Sequence, residues 1–157
     1  MSLETWELIS YIVTAIGLPA AIVVFLYEKK REREQREDEI HQNLSDNYQE
    51  FLRTALENPD LKLFSTEETP ALTAEQRERM LIIFSMLISL FERAHILMHE
   101  RSMSRTQMRR WASWEDYMRE WCQRDDFRHL LPSLLPGEDQ EFVAYIEGLA
   151  ARREGTR

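Results

Sequence analysis

Glycine, proline and cysteine are scarce in this chain, with four, five and one among 157 residues. So few turn-forming residues argue against a fold of many short strands and predict an all-α protein. The single cysteine, Cys122, excludes an intramolecular disulfide and a zinc site built on several thiolates. The sequence also lacks an HExxH pattern and a Gly-rich phosphate loop, so no familiar catalytic signature is present.

Basic residues are outnumbered, 20 against 28 acidic ones, which gives a net charge of −8. Nucleic acid requires a basic footprint, so this balance disfavours nucleic acid as a partner. The charges are also unevenly distributed, because residues 8–27 contain none at all. These 20 residues would span roughly 30 Å as a helix, which is the thickness of the hydrocarbon core of a bilayer. We therefore predict a transmembrane anchor over residues 1–28, flanked by Trp6 and Tyr27.

The orientation of this anchor is predicted from its flanks. No Lys or Arg precedes it, whereas five basic residues follow it closely: Lys29, Lys30, Arg31, Arg33 and Arg36. Because positively charged flanks are retained in the cytoplasm, the N-terminus should lie outside and the C-terminal domain should be cytoplasmic.

Small or weakly polar residues recur along one face of the anchor, at Ser10, Thr14, Gly17 and Ala21. Such a stripe lets a second helix approach closely, so these residues are predicted to form a seam between copies of the chain. The alternative is that small residues are simply common in membrane helices.

No Gly or Pro interrupts residues 20–58, so the anchor should continue into a charged and amphipathic connecting helix over residues 29–57. Apolar residues recur on one face of it, at Ile40, Leu44, Tyr48, Phe51 and Ala55. We predict that Leu44 and Phe51 extend the oligomer seam. A cytoplasmic helical domain, residues 58–157, should pack against residues 40–57.

Several helices are predicted within residues 58–157. Capping boxes at Thr73–Gln76 and Ser104–Gln107 should start helices that run to about Arg101 and Gln123. The apolar run 80–91 is too short to cross a membrane and predicts a buried central helix, with a second span as the alternative. Pro132 and Pro136 indicate a loop, and residues 138–153 a last amphipathic helix.

Two groups of side chains could carry chemistry or recognition. Glu92, His95 and His99 share a helical face, but the missing partner motif leads us to expect neither a metal nor a cofactor. Four rings recur at helical spacing, Trp111, Trp114, Tyr117 and Trp121. Core packing is the common use of such rings, and a partner-binding surface is the alternative.

The segments VTAIGLPAAI and YQEFLRTALENPDLKLF, separated by a run of mixed charge, resemble a group of uncharacterised bacterial proteins with one N-terminal membrane helix. The resemblance implies a single-pass protein of the bacterial inner membrane with a small cytoplasmic helical domain. It carries no assigned activity and therefore transfers no functional residue.

These features together favour a membrane-anchored interaction or scaffold module that self-associates and is not an enzyme. The expected partners are the lipid bilayer, further copies of the chain and a second membrane protein. One alternative is an oligomeric pore, although Leu18 to Leu26 offers no polar lining. Another is an accessory subunit of a larger membrane complex.

Overall fold

The computed structural model describes residues 3–65 and 69–152, with side chains from Ala15 onward in the first helix. Within these residues the chain is helical and contains no strand, which confirms the predicted all-α class. In the described ranges the α-helices are α1 (Leu3–Glu57), α2 (Ala74–Met98), α3 (Arg105–Trp121), α4 (Asp125–Leu134) and α5 (Gln140–Ala151). A short 3₁₀-helix, Pro59–Leu61, follows α1.

The chain divides into two compact units, Met1–Gln42 and Asn43–Arg157. The boundary lies inside α1, which runs without interruption from the first unit into the second. The boundary between the units lies within the predicted connecting helix, residues 29–57, and not at either of its ends. The part after the boundary is buried in the second unit through Leu44, Tyr48, Phe51 and Ala55. The last part of α1 is therefore a core element of that unit.

Side-chain caps mark the starts of three helices in the second unit, α2, α3 and α5. Thr73 Oγ1 accepts from the Gln76 amide while Gln76 Oε1 accepts from the Thr73 amide, and Ser104 and Gln107 make the same exchange. Both predicted capping boxes are thus confirmed. At α5, the Asp139 carboxylate accepts from the amides of Glu141 and Phe142.

Helix α2 is the central element of the second unit. Its buried face carries Met80, Ile83, Phe84, Leu87, Ile88, Leu90, Phe91 and Ala94. Phe84 packs edge-on against Phe127 of α4 with ring centroids 5.1 Å apart, and Trp121 of α3 lies 6.1 Å away. The run 80–91 is therefore buried on one side only, whereas Leu81, Ile82 and Met86 are exposed.

Helix α4 contradicts the prediction of a loop at Pro132. The structure places Pro132 inside the last turn of this helix. A proline there removes the N–H that would donate to the Arg128 carbonyl and crowds that carbonyl, so the helix needs stabilisation from elsewhere. Burial of Phe127, Leu131 and Leu134 at spacings of four and three holds the helix onto the core.

One helix within the described residues is long and apolar enough to cross a membrane, namely α2, and half of its most apolar stretch is buried inside the chain. The predicted anchor is only partly described. The side chains of residues 8–14 lie outside the described residues, whereas those of residues 15–27 are described and belong to α1.

Candidate functional site

The apolar part of α1 is exposed on every side of the helix within the first unit. The large apolar side chains from residue 16 to 27 have between 51% and 67% of their surface exposed: Ile16, Leu18, Ile22, Val23, Val24, Phe25, Leu26 and Tyr27. We refer to residues 15–27 as the apolar belt. Burial of this apolar surface would contribute a favourable free energy of about 25 cal/mol for each Å² removed from water. Covering the belt with another apolar surface would therefore be favourable.

The anchor seam predicted at Ser10, Thr14, Gly17 and Ala21 falls partly on this belt. Ser10 and Thr14 have side chains outside the described residues. Gly17 and Ala21 are exposed, and a Cβ atom built at Gly17 meets nothing within 4 Å. No neighbour within the described part of the chain therefore requires glycine at this position.

Beyond the belt, α1 carries charge of both signs. Lys29 Nζ lies 6.0 Å from the centre of the Phe25 ring, while Lys30 pairs with Glu34 and Arg33 with Glu37 at spacings of four residues. These pairs are exposed, so each contributes only a few tenths of a kcal/mol to the helix. The change from uncharged to charged surface is nonetheless abrupt at residue 28.

The second seam, predicted at Leu44 and Phe51, is not on the surface. Leu44 is 1% exposed and Phe51 is 3% exposed, and Phe51 packs edge-on against Trp121 at 5.4 Å. These side chains cannot contact another copy unless the second unit opens. Burial within the chain accounts for both residues without a second copy. Their amphipathic spacing reflects packing within the chain.

The four rings predicted on α3 are also mainly core residues. Trp111, Trp114 and Trp121 are buried and Tyr117 is half-buried. Tyr48 of α1 stacks on Tyr117 with centroids 4.4 Å apart, and Trp121 Nε1 donates a hydrogen bond of 3.3 Å to Tyr48 Oη. Packing within the second unit therefore accounts for the three indoles. Trp114 and Trp121 join α3 to the end of α1. Trp111 instead packs against His95 and Tyr145.

The Glu92, His95 and His99 group is a packing cluster. His95 and His99 stack with ring centroids 4.6 Å apart, and both lie against Trp111 and Tyr145. No set of three His, Cys, Asp or Glu side chains in the described residues is arranged to hold a metal ion. Burial, followed by the neighbouring His99, lowers the pKa of His95.

Glu92 instead joins α2 to the start of α5. Its Oε1 accepts a hydrogen bond of 2.6 Å from the Asp139 amide. Burial, followed by hydrogen bonding to Glu92 and the charge of Glu92, raises the pKa of Glu138 to about 7. Two carboxyl groups that meet in this way share a proton, which favours the neutral form of one of them.

Arg124 is a buried and extensively hydrogen-bonded side chain of the second unit that no sequence pattern singled out. It is 3% exposed, and its Nε and Nη2 donate to the two carboxylate oxygens of Asp126 at 2.8 and 2.6 Å. Its Nη1 donates to the carbonyls of Lys62 and Ser65, both at 2.7 Å. Arg124 thus ties the turn after α1 to the start of α4. Its carbonyl partners are 62 and 59 residues away, so no local pattern identifies them.

An open depression of about 410 Å³ lies beside this ion pair. Its lining consists of Leu72, Arg77, Glu78, Met80, Leu81, Asp126, His129 and Leu130. Arg77 Nη1 donates to the Leu72 carbonyl, and Asp126 is paired with Arg124. No Ser, Cys, Thr or Lys among these residues could act as a nucleophile beside His129. The thiol of Cys122 is buried, and burial raises its pKa to about 12.

Comparisons with models of known protein families, with curated proteins and with solved structures find no match to this chain.

Proposed function

We propose that this protein is a membrane-anchored interaction module whose N-terminal helix crosses a bilayer and whose copies associate with one another. The observation that carries the proposal is the exposed apolar belt of residues 15–27. It is uncharged around the whole helix and continues an uncharged stretch that starts at Leu8. Lipid would cover such a surface at no cost in buried charge.

The charges that follow the belt support a cytoplasmic location for the second unit. Five basic residues lie within residues 29–36, and no basic residue precedes them. We expect a reporter enzyme that is active only in the cytoplasm to work when it is fused after Arg157. Activity of a reporter that works only outside the cytoplasm, fused at the same position, would reverse the proposed orientation.

A scaffold is favoured over a pore because the belt lacks polar lining. Residues 15–26 carry no ionisable side chain, and a water-filled path normally needs charge or polarity along its wall. The second unit presents no paired nucleophile and base among its described cavity-lining residues, which favours interaction over catalysis. An accessory role would require a second polypeptide that copurifies with the chain.

Membrane fractionation tests the anchor directly. The full chain should remain in the membrane pellet after an alkaline carbonate wash. Replacing Leu18 and Ile22 together by arginine, near the middle of the uncharged stretch, should shift the chain to the wash, because each charge costs about 3 kcal/mol at that depth. The matched control exchanges the same residues as Leu18→Ile and Ile22→Leu and should stay in the pellet. Release of the wild type by the wash would refute the anchor.

The seam through Gly17 and Ala21 has its own test. Gly17→Leu introduces a large side chain where close helix approach requires none, so it should lower the particle mass in detergent. Val23→Leu adds bulk elsewhere on the belt and should leave the mass unchanged. Light scattering of the purified full chain measures this. A monomeric wild type would end the self-association proposal.

A further inference from the structure

The outer face of α2 is apolar although the helix is packed against the rest of the second unit on its other side. Ile82 and Met86 are 54% and 47% exposed, and Ile96 and Leu97 are 58% and 46% exposed. Ser85 and Ser89 lie between them on the same face. We name this surface, residues 82, 85, 86, 89, 96 and 97, the α2 outer face.

The middle of the α2 outer face could be covered at little cost in desolvation. No charged residue occurs from Met80 to Phe91. The Ser85 hydroxyl donates a 2.8 Å hydrogen bond to the Leu81 carbonyl of its own helix. This bond satisfies the donor without solvent, so the face can be covered without leaving that hydroxyl unpaired.

The charges at the two ends of this face are opposite and unpaired. Glu78 precedes it, Arg93 lies towards its other end, and neither makes a hydrogen bond or an ion pair within residues 3–65 and 69–152. At 1.5 Å per residue they stand about 22 Å apart along the axis, and at 3.6 residues per turn about 60° apart around it. They therefore border the same outer side of α2.

The midpoint between Glu78 and Arg93 falls between Ser85 and Met86, in the centre of the uncharged face. If two copies of α2 lie antiparallel about a twofold axis at this point, Glu78 of each copy comes level with Arg93 of the other. Ile82 likewise comes level with Ser89, which sets a bulky side chain against a small one. A parallel pairing would instead bring like charges level with each other.

We infer that residues 82–89 of the α2 outer face form an isologous docking surface for a second copy of this chain, held antiparallel by two Glu78–Arg93 pairs. The inference rests on the self-association proposed above and assigns it a surface outside the membrane. One helix face is smaller than a standard interface, so the contact is expected to be weak in dilute solution. Anchoring in a common bilayer raises the effective concentration of the two copies and compensates for the small area.

An alternative cover, an anionic lipid surface, fits the charges less well. Glu75 and Glu78 both lie at the first end of the face, where the negative potential of such a surface would repel them. Two copies in antiparallel order instead place this acidic end beside the Arg93 end of the partner. The charge pattern of α2 is thus complementary to itself.

Charge reversal in the full chain tests the inference. We would label wild type, Glu78→Arg and Arg93→Glu with donor or acceptor dyes, reconstitute each full chain into liposomes and measure association by energy transfer in that common bilayer. In a homodimer of either variant, residue 78 of each copy faces residue 93 of the other with the same charge. Each variant should therefore self-associate at least about tenfold more weakly than the wild type. An equimolar mixture of the two variants restores both opposite-charge pairs and should recover wild-type affinity. Circular dichroism verifies that every variant is folded.

Matched controls reverse charges at exposed positions away from the face, Glu147→Arg and Arg109→Glu, and should leave association unchanged. Met86→Glu, at the centre of the face, should weaken association at least as much as either charge reversal does. A mixture that associates no better than the single variants, or single variants that match the wild type, would overturn this docking surface while leaving the anchor and the Gly17 seam intact. A wild type that never dimerises would overturn the surface and the proposed self-association together.

Discussion

Replacing Arg124 should strongly lower the free energy of unfolding of the second unit, because its charge is buried and paired. Arg124→Met removes the guanidinium but keeps much of the side-chain volume. Asp126, which is 6% exposed, would keep a hydrogen bond from the Phe127 amide at 2.8 Å but lose its cationic partner. The carbonyls of Lys62 and Ser65 would each lose a donor at 2.7 Å.

The size of the effect follows from the burial of the pair. Removing one partner of a buried ion pair leaves an uncompensated charge and costs about 3–5 kcal/mol of unfolding free energy. A domain of this kind is stabilised by about 5–15 kcal/mol in total, so the loss is a large share. With a urea m-value of about 2 kcal/mol/M, the midpoint should fall by about 1.5–2.5 M.

Urea titration followed by tryptophan fluorescence measures this change in the full chain. Three of the four tryptophans, Trp111, Trp114 and Trp121, are buried in the second unit and report on it. Arg109→Met, on the exposed side of α3, is the control and should shift the midpoint little. Removing both charges, in Arg124→Met with Asp126→Leu, should recover part of the loss, because no buried charge is then left unpaired. An Arg124→Met midpoint within about 0.5 M of the wild type would refute this reasoning.

Three further predictions concern the second unit. Ile83→Asp should unfold the second unit, because an unpaired charge at a 4% exposed position costs several kcal/mol. Ser113→Asp on the surface of α3 should leave the unit folded. Circular dichroism distinguishes the two outcomes. Glu138→Gln should raise the melting temperature more at pH 8 than at pH 5. The folded-state pKa of Glu138 is raised to about 7, so the wild type loses stability as pH rises from about 4.5 through 7, and the amide removes that loss. Cys122 should react with iodoacetamide only when the unit unfolds, because burial raises its pKa to about 12; rapid labelling of the native chain would contradict this.

Local signals predicted much of the fold. The Thr73 and Ser104 caps are visible as short patterns, and the absence of Gly and Pro over residues 20–58 correctly predicted one helix as far as Glu57. Helix α4 is missing from the prediction because the proline signal at residue 132 outweighed the spacing of Phe127, Leu131 and Leu134. Tertiary packing decided that competition, and packing is not encoded in a local window.

The candidate surfaces were harder to predict. An apolar stripe such as Leu44 to Ala55 shows that a helix face is buried, but it does not show whether the cover is the same chain or another. Here the cover is α3, through Tyr48, Tyr117 and Trp121. The α2 outer face could not be predicted for a related reason. Residues Met80 to Phe91 are apolar on nearly every side, so their pattern does not show which side is exposed. Only the packed structure separates its inner face from its outer one.

The pairing of Tyr48 with Trp121 has a consequence for biosynthesis. The two residues are separated by 73 positions, so the ribosome finishes the end of α1 well before its partner on α3 exists. At about 10 residues per second the interval is roughly 7 s. Throughout that time the apolar side of residues 44–55 has no permanent cover on the nascent chain. Protection by a chaperone, or a slow rate of translation over α3, would therefore change the yield of folded protein without changing its final stability.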